Sequence, residues 1–251
     1  VVNWMRVGFI HGVMNTDNMT VSGQTIDYGP CAFMDHYDAK TVFSSIDKFG
    51  RYSFSNQPKI TKWNLARFAE CLIPLIDQNE DSAIKKASDV VDNFEKIYEK
   101  KWLNMMRDKL GLFGEDKEDK KLINDLLNWM ELNKVDYTNT FCYLMNVKTP
   151  EINCYKTNEF NHWMDRWKKR LNLKEISSSK YLDLMRSSNP IVIPRNHKVE
   201  EALNAANENN LELLKNLLTV LENPYADQKN ILDYQSPLPI TEKKFQTFCG
   251  T

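Results

Sequence analysis

Asp17, Asn18 and Asp27 are three oxygen-bearing side chains in the stretch 11–30, HGVMNTDNMTVSGQTIDYGP, which is denser in chemistry-bearing residues than anything after it. Met19-Thr20-Val21 and Gln24-Thr25-Ile26 are short β-favouring runs around Ser22-Gly23, the composition of a tight hairpin turn. Pairing symmetric about that turn sets Asn18 opposite Asp27, with Cβ atoms roughly 5 Å apart on one face. An amide oxygen and a carboxylate converging there form part of a shell for a hard cation, Mg²⁺ or Mn²⁺. Mg²⁺ takes oxygen ligands at about 2.0–2.1 Å and leaves its other positions to waters and phosphates. Asp17, one residue earlier, is left to face a substrate hydroxyl. Taken alone, Asn, Asp and Gly between strands are first of all turn formers, and composition by itself favours that plainer reading.

The order of the residues shifts the balance. His11-Gly12, then Asn18, then Asp27-Tyr28-Gly29 follows the layout of a kinase-type catalytic loop, an Asn metal ligand and a DFG-like Asp. Kinase-like phosphotransferases carry their catalytic Asp two residues after the His, and here that position is Val13. Valine cannot accept a proton, so an ordinary kinase mechanism is not written in this loop.

With Val13 there and an Asp displaced to position 17, the chain resembles the selenoprotein O family, kinase-like proteins regarded as AMP transferases. The runs that carry the resemblance are GFIHGVMNTDNMTVSGQTIDYGPCAFMD at 8–35, GRYSFSNQP at 50–58, WNLARFAECLIPLI at 63–76, NPIVIPRNHKVEEAL at 189–203 and the terminal FCGT. They span nearly the whole chain, although about 77–180 contributes little that is diagnostic. The resemblance implies a mainly α chain, the C-lobe of a protein-kinase-like fold with a short catalytic β-hairpin, the full-length family being α+β. It implies transfer of AMP from ATP to Ser, Thr or Tyr hydroxyls of proteins with release of pyrophosphate, the ATP lying flipped relative to kinases. Asp17 is then the base, and Asn18 and Asp27 are Mg²⁺ ligands that also hold the nucleotide. In the family the C-terminal Cys, here Cys249, can form a disulfide with a Cys on the loop after the DFG-like Asp. Phe43 stands at that partner position, and Cys31 is the remaining loop thiol. Two other readings stay open: a catalytically inactive nucleotide-binding pseudokinase, which Val13 favours, and a helical interaction module that kept a remnant loop.

Elements must position these residues. VVNWMRVGF reads as the end of a helix running into the loop, and the chain is expected to be a C-terminal portion, inactive alone, because no glycine-rich loop or strand Lys precedes it. Residues 1–76 are expected to hold the catalytic loop, the hairpin, an activation-like segment and a first core helix. Residues 77–223 are expected to make the helical C-lobe and its extension, and 224–251 an extended C-terminal tail. In the segment after the hairpin, Arg51 and Asn56 are candidates for nucleotide or substrate contact, against a local carboxylate partner for Arg51 and a plain surface role for His36. Pro58 opens a helix whose apolar residues Trp63, Leu65, Ala66, Phe68, Ala69, Leu72 and Ile73 recur at three and four until Pro74 kinks or ends it. Its Asn64 and Arg67 can reach back to the loop or serve as an ordinary cap or ion pair. Ser82 is expected to cap a second helix, with a stripe from Ile84 to Met106, ending at Gly111. After a charged linker at 111–119, amphipathic helices are expected over 122–132, from about 136, and over 162–171, 178–185, 199–206 and 211–221. Arg195 and His197 either hold a phosphate or fasten the tail, with fastening favoured.

Composition sets the outer limits. The chain is 42% hydrophobic and 27% charged, with 33 basic against 34 acidic residues, which points away from nucleic acid as a partner. The run Arg166-Trp167-Lys168-Lys169-Arg170 reads as one solvated helix face. No apolar run approaches the roughly 18 residues of a membrane span, so no membrane partner is expected. Cys31, Cys71, Cys142, Cys154 and Cys249 occur singly, without zinc spacing, which suggests a reducing compartment; the first four read as small core residues.

Overall fold

The computed structural model describes residues 1–150, 153–174, 176–238 and 245–248. It is mainly helical, with one two-stranded antiparallel sheet among the described residues. Helix α1 (Val2–Val7) runs directly into β1 (Phe9–Ile10), which pairs with β2 (Ala32–Phe33) in the register Phe9↔Phe33 and Ile10↔Ala32. The outer edge of β1 is closed by a side chain. Gln57, fully buried, donates from Nε2 to the Phe9 carbonyl at 3.0 Å and accepts the His11 N–H on Oε1 at 3.0 Å, standing in for a third strand.

Helix α2 (Gln57–Ile76) starts with Pro58 in its first turn, as expected, and carries Pro74 inside its last turn rather than ending there. It is a core helix only at its beginning. Ile60, Thr61 and Asn64 are buried, but Trp63, Leu65, Phe68 and Leu75 are exposed on a helix that packs chiefly against α3 (Glu80–Lys109). The apolar recurrence thus serves a two-helix pairing instead of the main core, a distinction that periodicity alone does not carry. Asn79, not Ser82, caps α3: its side chain accepts the Ser82 N–H at 2.8 Å. The helix stops where Gly111 takes a φ of +68, with Tyr181 and Met185 packed so close that a Cβ would meet them at about 3.0 Å.

The core lies where the second half of α3 meets α4 (Asp119–Asn133), α5 (Tyr137–Leu144) and α6 (Asn158–Asn172), all near their expected positions. Met106, Leu126, Phe141 and Phe160 fill it, and the indole N–H groups of Trp163 and Trp167 donate to the carbonyls of Leu122 and Leu110 at 2.8 and 2.9 Å. The charged linker is clipped down by Asp119. This fully buried carboxylate accepts Arg107 Nε and Arg170 Nε at 2.7 Å each, and Arg170 also reaches the carbonyls of Phe113 and Gly114. Arg170 and Trp167 therefore leave the solvated face assigned to their basic run, while Arg166 stays exposed and pairs with Asp125.

Helices α7 (Ser178–Ser188), α8 (Asn196–Asn207), α9 (Glu212–Leu221) and the short α10 (Leu232–Gln235) complete the described fold. Arg195, just before α8, is 1% exposed. Its guanidinium binds Asp35 and Asp136 at 2.6 Å each and the Gln235 carbonyl at 2.7 Å. Asp136 is itself the cap of α5, accepting the Asn139 N–H at 2.7 Å. Burial alone would lower the Arg195 pKa, and the facing carboxylates, Asp136 before Asp35, more than offset it and raise it. Arg195 thus fastens α10 to the segment after β2, with its guanidinium buried.

Two outcomes test this packing. Arg195→Met leaves buried Asp136 and half-buried Asp35 without their cation and should cost about 3–5 kcal/mol in chemical denaturation; a loss below about 1 kcal/mol would contradict the role given to it. For Asp119, burial raises the carboxyl but the hydrogen bonds from Arg170 and Arg107 outweigh it and hold it below the ordinary value. A depressed folded pKa contributes stability that is complete above the unfolded value of about 3.9 and fades as pH falls through the folded one. Asp119→Asn should flatten the acid limb of stability below about pH 4 as well as lowering stability at neutral pH.

Candidate active site

Gly12 makes the first turn of the site. Its φ is +89, and a Cβ there would lie 2.6 Å from the Pro30 carbonyl oxygen, so the loop's start and the end of the 27–30 segment touch through a position only glycine can fill. His11 ties the same two segments. Its ring is buried against Trp4, centroids 5.4 Å apart, and Nε2 lies 2.8 Å from the Ile26 carbonyl. A carbonyl only accepts, so the proton sits on Nε2. Nδ1 is buried without a hydrogen-bond partner among the described residues. The residue after the captured carbonyl is Asp27.

Val13 and Met14 drop into a second small core with Tyr52 and Ile60. Two side chains from outside then pin the loop: Asn64 of α2 donates from Nδ2 to the Met14 carbonyl at 2.9 Å, and the Tyr52 hydroxyl donates to Asn15 Oδ1 at 2.7 Å. Beyond Asn15 the chain makes a 3₁₀ turn over Thr16–Asn18. Asn18 donates from Nδ2 to the Val13 carbonyl at 3.0 Å. An amide has one donor end and one acceptor end, so this bond holds the nitrogen inward and leaves Oδ1 as the accepting end. Asp17, next to it, is exposed. Asp27 is exposed as well, at a φ of +52, a left-handed conformation that Asp tolerates better than most residues and that tends to mark loops with a task.

The hairpin expected between these residues does not form. Its turn is present, the Gly23 N–H donating to the Thr20 carbonyl at 3.1 Å, but the arms part. Met19 joins the Val13 and Tyr52 cluster, while Thr25 Oγ1 accepts the Trp4 indole N–H at 2.8 Å and the Ile26 carbonyl is taken by His11. Val21 is left 87% exposed. A ladder of three residues an arm, with no sheet face to cover, is weaker than these captures by side chains already anchored in α1, β1 and α2. Asn18 and Asp27 are therefore not cross-strand partners. The antiparallel pair is β1 with β2, on either side of the loop.

The segment 35–56 is held by local bonds. Asp47 accepts the backbone N–H groups of Arg51 and Tyr52 at 2.8 Å each, so the local carboxylate expected near Arg51 binds its backbone, and the guanidinium lies 4.8 Å from the Trp63 ring centre. Asn56 donates to the Arg51 carbonyl, and His36 bridges to Asp136 through the backbone. Arg67 makes the ordinary ion pair, with Glu70, whereas its neighbour Asn64 reaches the loop. From the chain's end, Thr247 pairs with 43–45 by backbone bonds of 2.9 Å, and Phe245 packs on Phe43 with centroids 6.1 Å apart. Cys249 lies outside the described residues. Burial pushes the Cys31 thiol up despite a backbone hydrogen bond; Cys142 is buried as expected, and Cys71 is exposed rather than in the core.

Sequence reasoning names Asp17, Asn18 and Asp27 as candidates but misses Gln57 and most of the hold exerted by Asn64 and Tyr52. Polar residues at helical core positions beside a Pro start were the available signal.

A family profile described as "Protein adenylyltransferase SelO" matches residues 1–222. The chain belongs to the SelO family. It is 62% identical over 251 residues to "Protein nucleotidyltransferase YdiU" of Pelagibacter ubique (strain HTCC1062), covering all of this chain and 52% of that protein. Proteins of the same name from Nitrosococcus oceani and Alkaliphilus metalliredigens are 54% and 50% identical, with all of this chain and 51% of each covered. The chain thus spans about half the length of these SelO-family relatives.

Asn64→Ala should free the Met14 carbonyl and cost about 1–3 kcal/mol, with faster amide exchange across 14–18 and little change in α6. Unchanged exchange in the loop would show that Asn64 does not hold it.

Proposed function

We propose that this chain supplies the acceptor and metal half of a protein adenylyltransferase, the C-terminal lobe of a kinase-like fold that moves AMP from ATP to Ser, Thr or Tyr hydroxyls of proteins. The observation that carries the reading is the Asn18 amide, bonded by its nitrogen to the Val13 carbonyl at 3.0 Å with exposed Asp17 beside it. Membership of the SelO family supports it, as do the names of the relatives. Asn18 Oδ1 and the Asp27 carboxylate are hard oxygen donors that fit Mg²⁺, and two protein ligands suit an ion that keeps its other positions for water and phosphate. Held there by Asn18 and Asp27, Mg²⁺ would neutralise charge that builds on the nucleotide phosphates. Asp17 accepts the proton of the attacking hydroxyl, and its place outside the buried Val13 position directs that hydroxyl to the α-phosphorus rather than the γ. Buried Val13 favours one rival, an inactive nucleotide-binding pseudokinase.

In the family-length protein with ATP labelled at the α- or the γ-phosphate, label should pass to protein from the α position alone. Asp17→Ala should lower that transfer by about 10²–10⁴-fold without equal loss of ATP affinity. Label from the γ position would mean a kinase, and none from either would favour the inactive rival. Asp27→Ala should abolish Mg²⁺-dependent nucleotide binding or turnover with the fold intact; an unchanged Mg²⁺ titration would return Asp27 to a turn role.

A further inference from the structure

Beside the loop that carries Asp17 lies a basic and aromatic patch that the reaction above leaves unused. Trp63 is 42% exposed although it stands next to buried Asn64, and two guanidinium groups rest on its indole: Arg51 at 4.8 Å and Arg67 at 5.3 Å from the ring centre. Arg51 also lies 5.7 Å from the Tyr52 ring. The patch is joined to the catalytic loop at both ends. Tyr52, the residue after Arg51, donates to Asn15, and Asn64, the residue after Trp63, donates to the Met14 carbonyl. Arg67 shares its charge with Glu70, but among the described residues no carboxylate forms an ion pair with the Arg51 guanidinium, because Asp47 is occupied by the backbone N–H groups of Arg51 and Tyr52.

A guanidinium stacked on an aromatic ring keeps its edge N–H donors free and loses little freedom on binding, so it is preorganised for a planar carboxylate. The net charge of the chain is −1, so the patch is a local feature and not part of a general basic surface. We infer that Arg51 and Arg67, held on Trp63, form an acceptor-recognition subsite that selects hydroxyls flanked by acidic residues in the protein being modified. This rests on the proposed transferase reading and deepens it by naming the chemistry of the acceptor. The rigid links through Asn15 and Met14 place the carboxylate contact at a fixed offset from Asp17, so one side of the acceptor hydroxyl should matter more than the other.

The test uses the family-length protein, ATP and a set of acceptor peptides, each with one hydroxyl and with Glu, Ala or Lys placed in turn at each flanking position. The expected result is a preference of about tenfold or more in kcat/KM for Glu at one or two positions on one side, expressed in KM. In the double variant Arg51→Glu, Arg67→Glu the preference should invert toward Lys at those positions, while transfer to the all-Ala peptide and the KM for ATP stay within about twofold. The inversion separates recognition from misfolding, since an unfolded variant gains nothing. No flanking preference in an active enzyme overturns the inference and leaves the transferase reading standing. An equal loss on every peptide with a raised KM for ATP would assign the patch to nucleotide phosphate instead, and overturns it too. Absence of any Asp17-dependent transfer overturns both.

Discussion

The interaction on which the rest of the structure depends is the burial of Arg195 between Asp35 and Asp136. One guanidinium there joins the residues just after β2, the cap of α5, the start of α8 and, through the Gln235 carbonyl, the short helix α10. Two carboxylates and one cation out of water are costly apart and tolerable only together, so these four segments must arrive as a set. The consequence for the site is direct. With Asp35 fixed, β2 is fixed. With β2 fixed, β1 has a partner on one edge, and Gln57 supplies the other. The loop between the two strands is then suspended from a frame that cannot slide.

The loop itself is built by amides and one aromatic hydroxyl more than by strands. Gln57, Asn64 and Asn18 each spend a side-chain nitrogen on a backbone carbonyl, at Phe9, Met14 and Val13, and Tyr52 adds a hydroxyl to Asn15. This arrangement fixes a short irregular backbone without committing it to a ladder, leaving Asp17 and Asp27 exposed while Val13 and Met14 are buried. Val13 belongs to the same logic. Two residues after His11 this chain uses an apolar side chain as packing, and its carbonyl becomes the anchor for Asn18.

Much of this was legible in the sequence where the governing physics is local. The Pro58 start, the Gly111 stop and the helices after residue 119 follow from capping, breakers and a 3.6-residue period, each acting over a few residues. The order of His11, Asn18 and Asp27 was legible as a motif. The hairpin was not, because the turn at Ser22-Gly23 is local while the fate of its arms was decided by Trp4, His11 and Asn64, up to 45 residues away. For the same reason α2 reads as a core helix from its sequence: the pattern shows an apolar stripe but not whether the main core or only α3 meets it. Gln57 bonding β1 and Arg195 meeting Asp35 across 160 residues leave no local trace.

We propose that Asn18 and Asp27, though not strand partners, hold one metal ion beside Asp17. The most direct measurement is anomalous scattering from crystals of the family-length protein grown with Mn²⁺ and a non-hydrolysable ATP analogue. A single strong peak within about 2.0–2.3 Å of both Asn18 Oδ1 and an Asp27 carboxylate oxygen, and against the nucleotide phosphates, is the predicted result. A metal bound to the phosphates and to neither residue would contradict it.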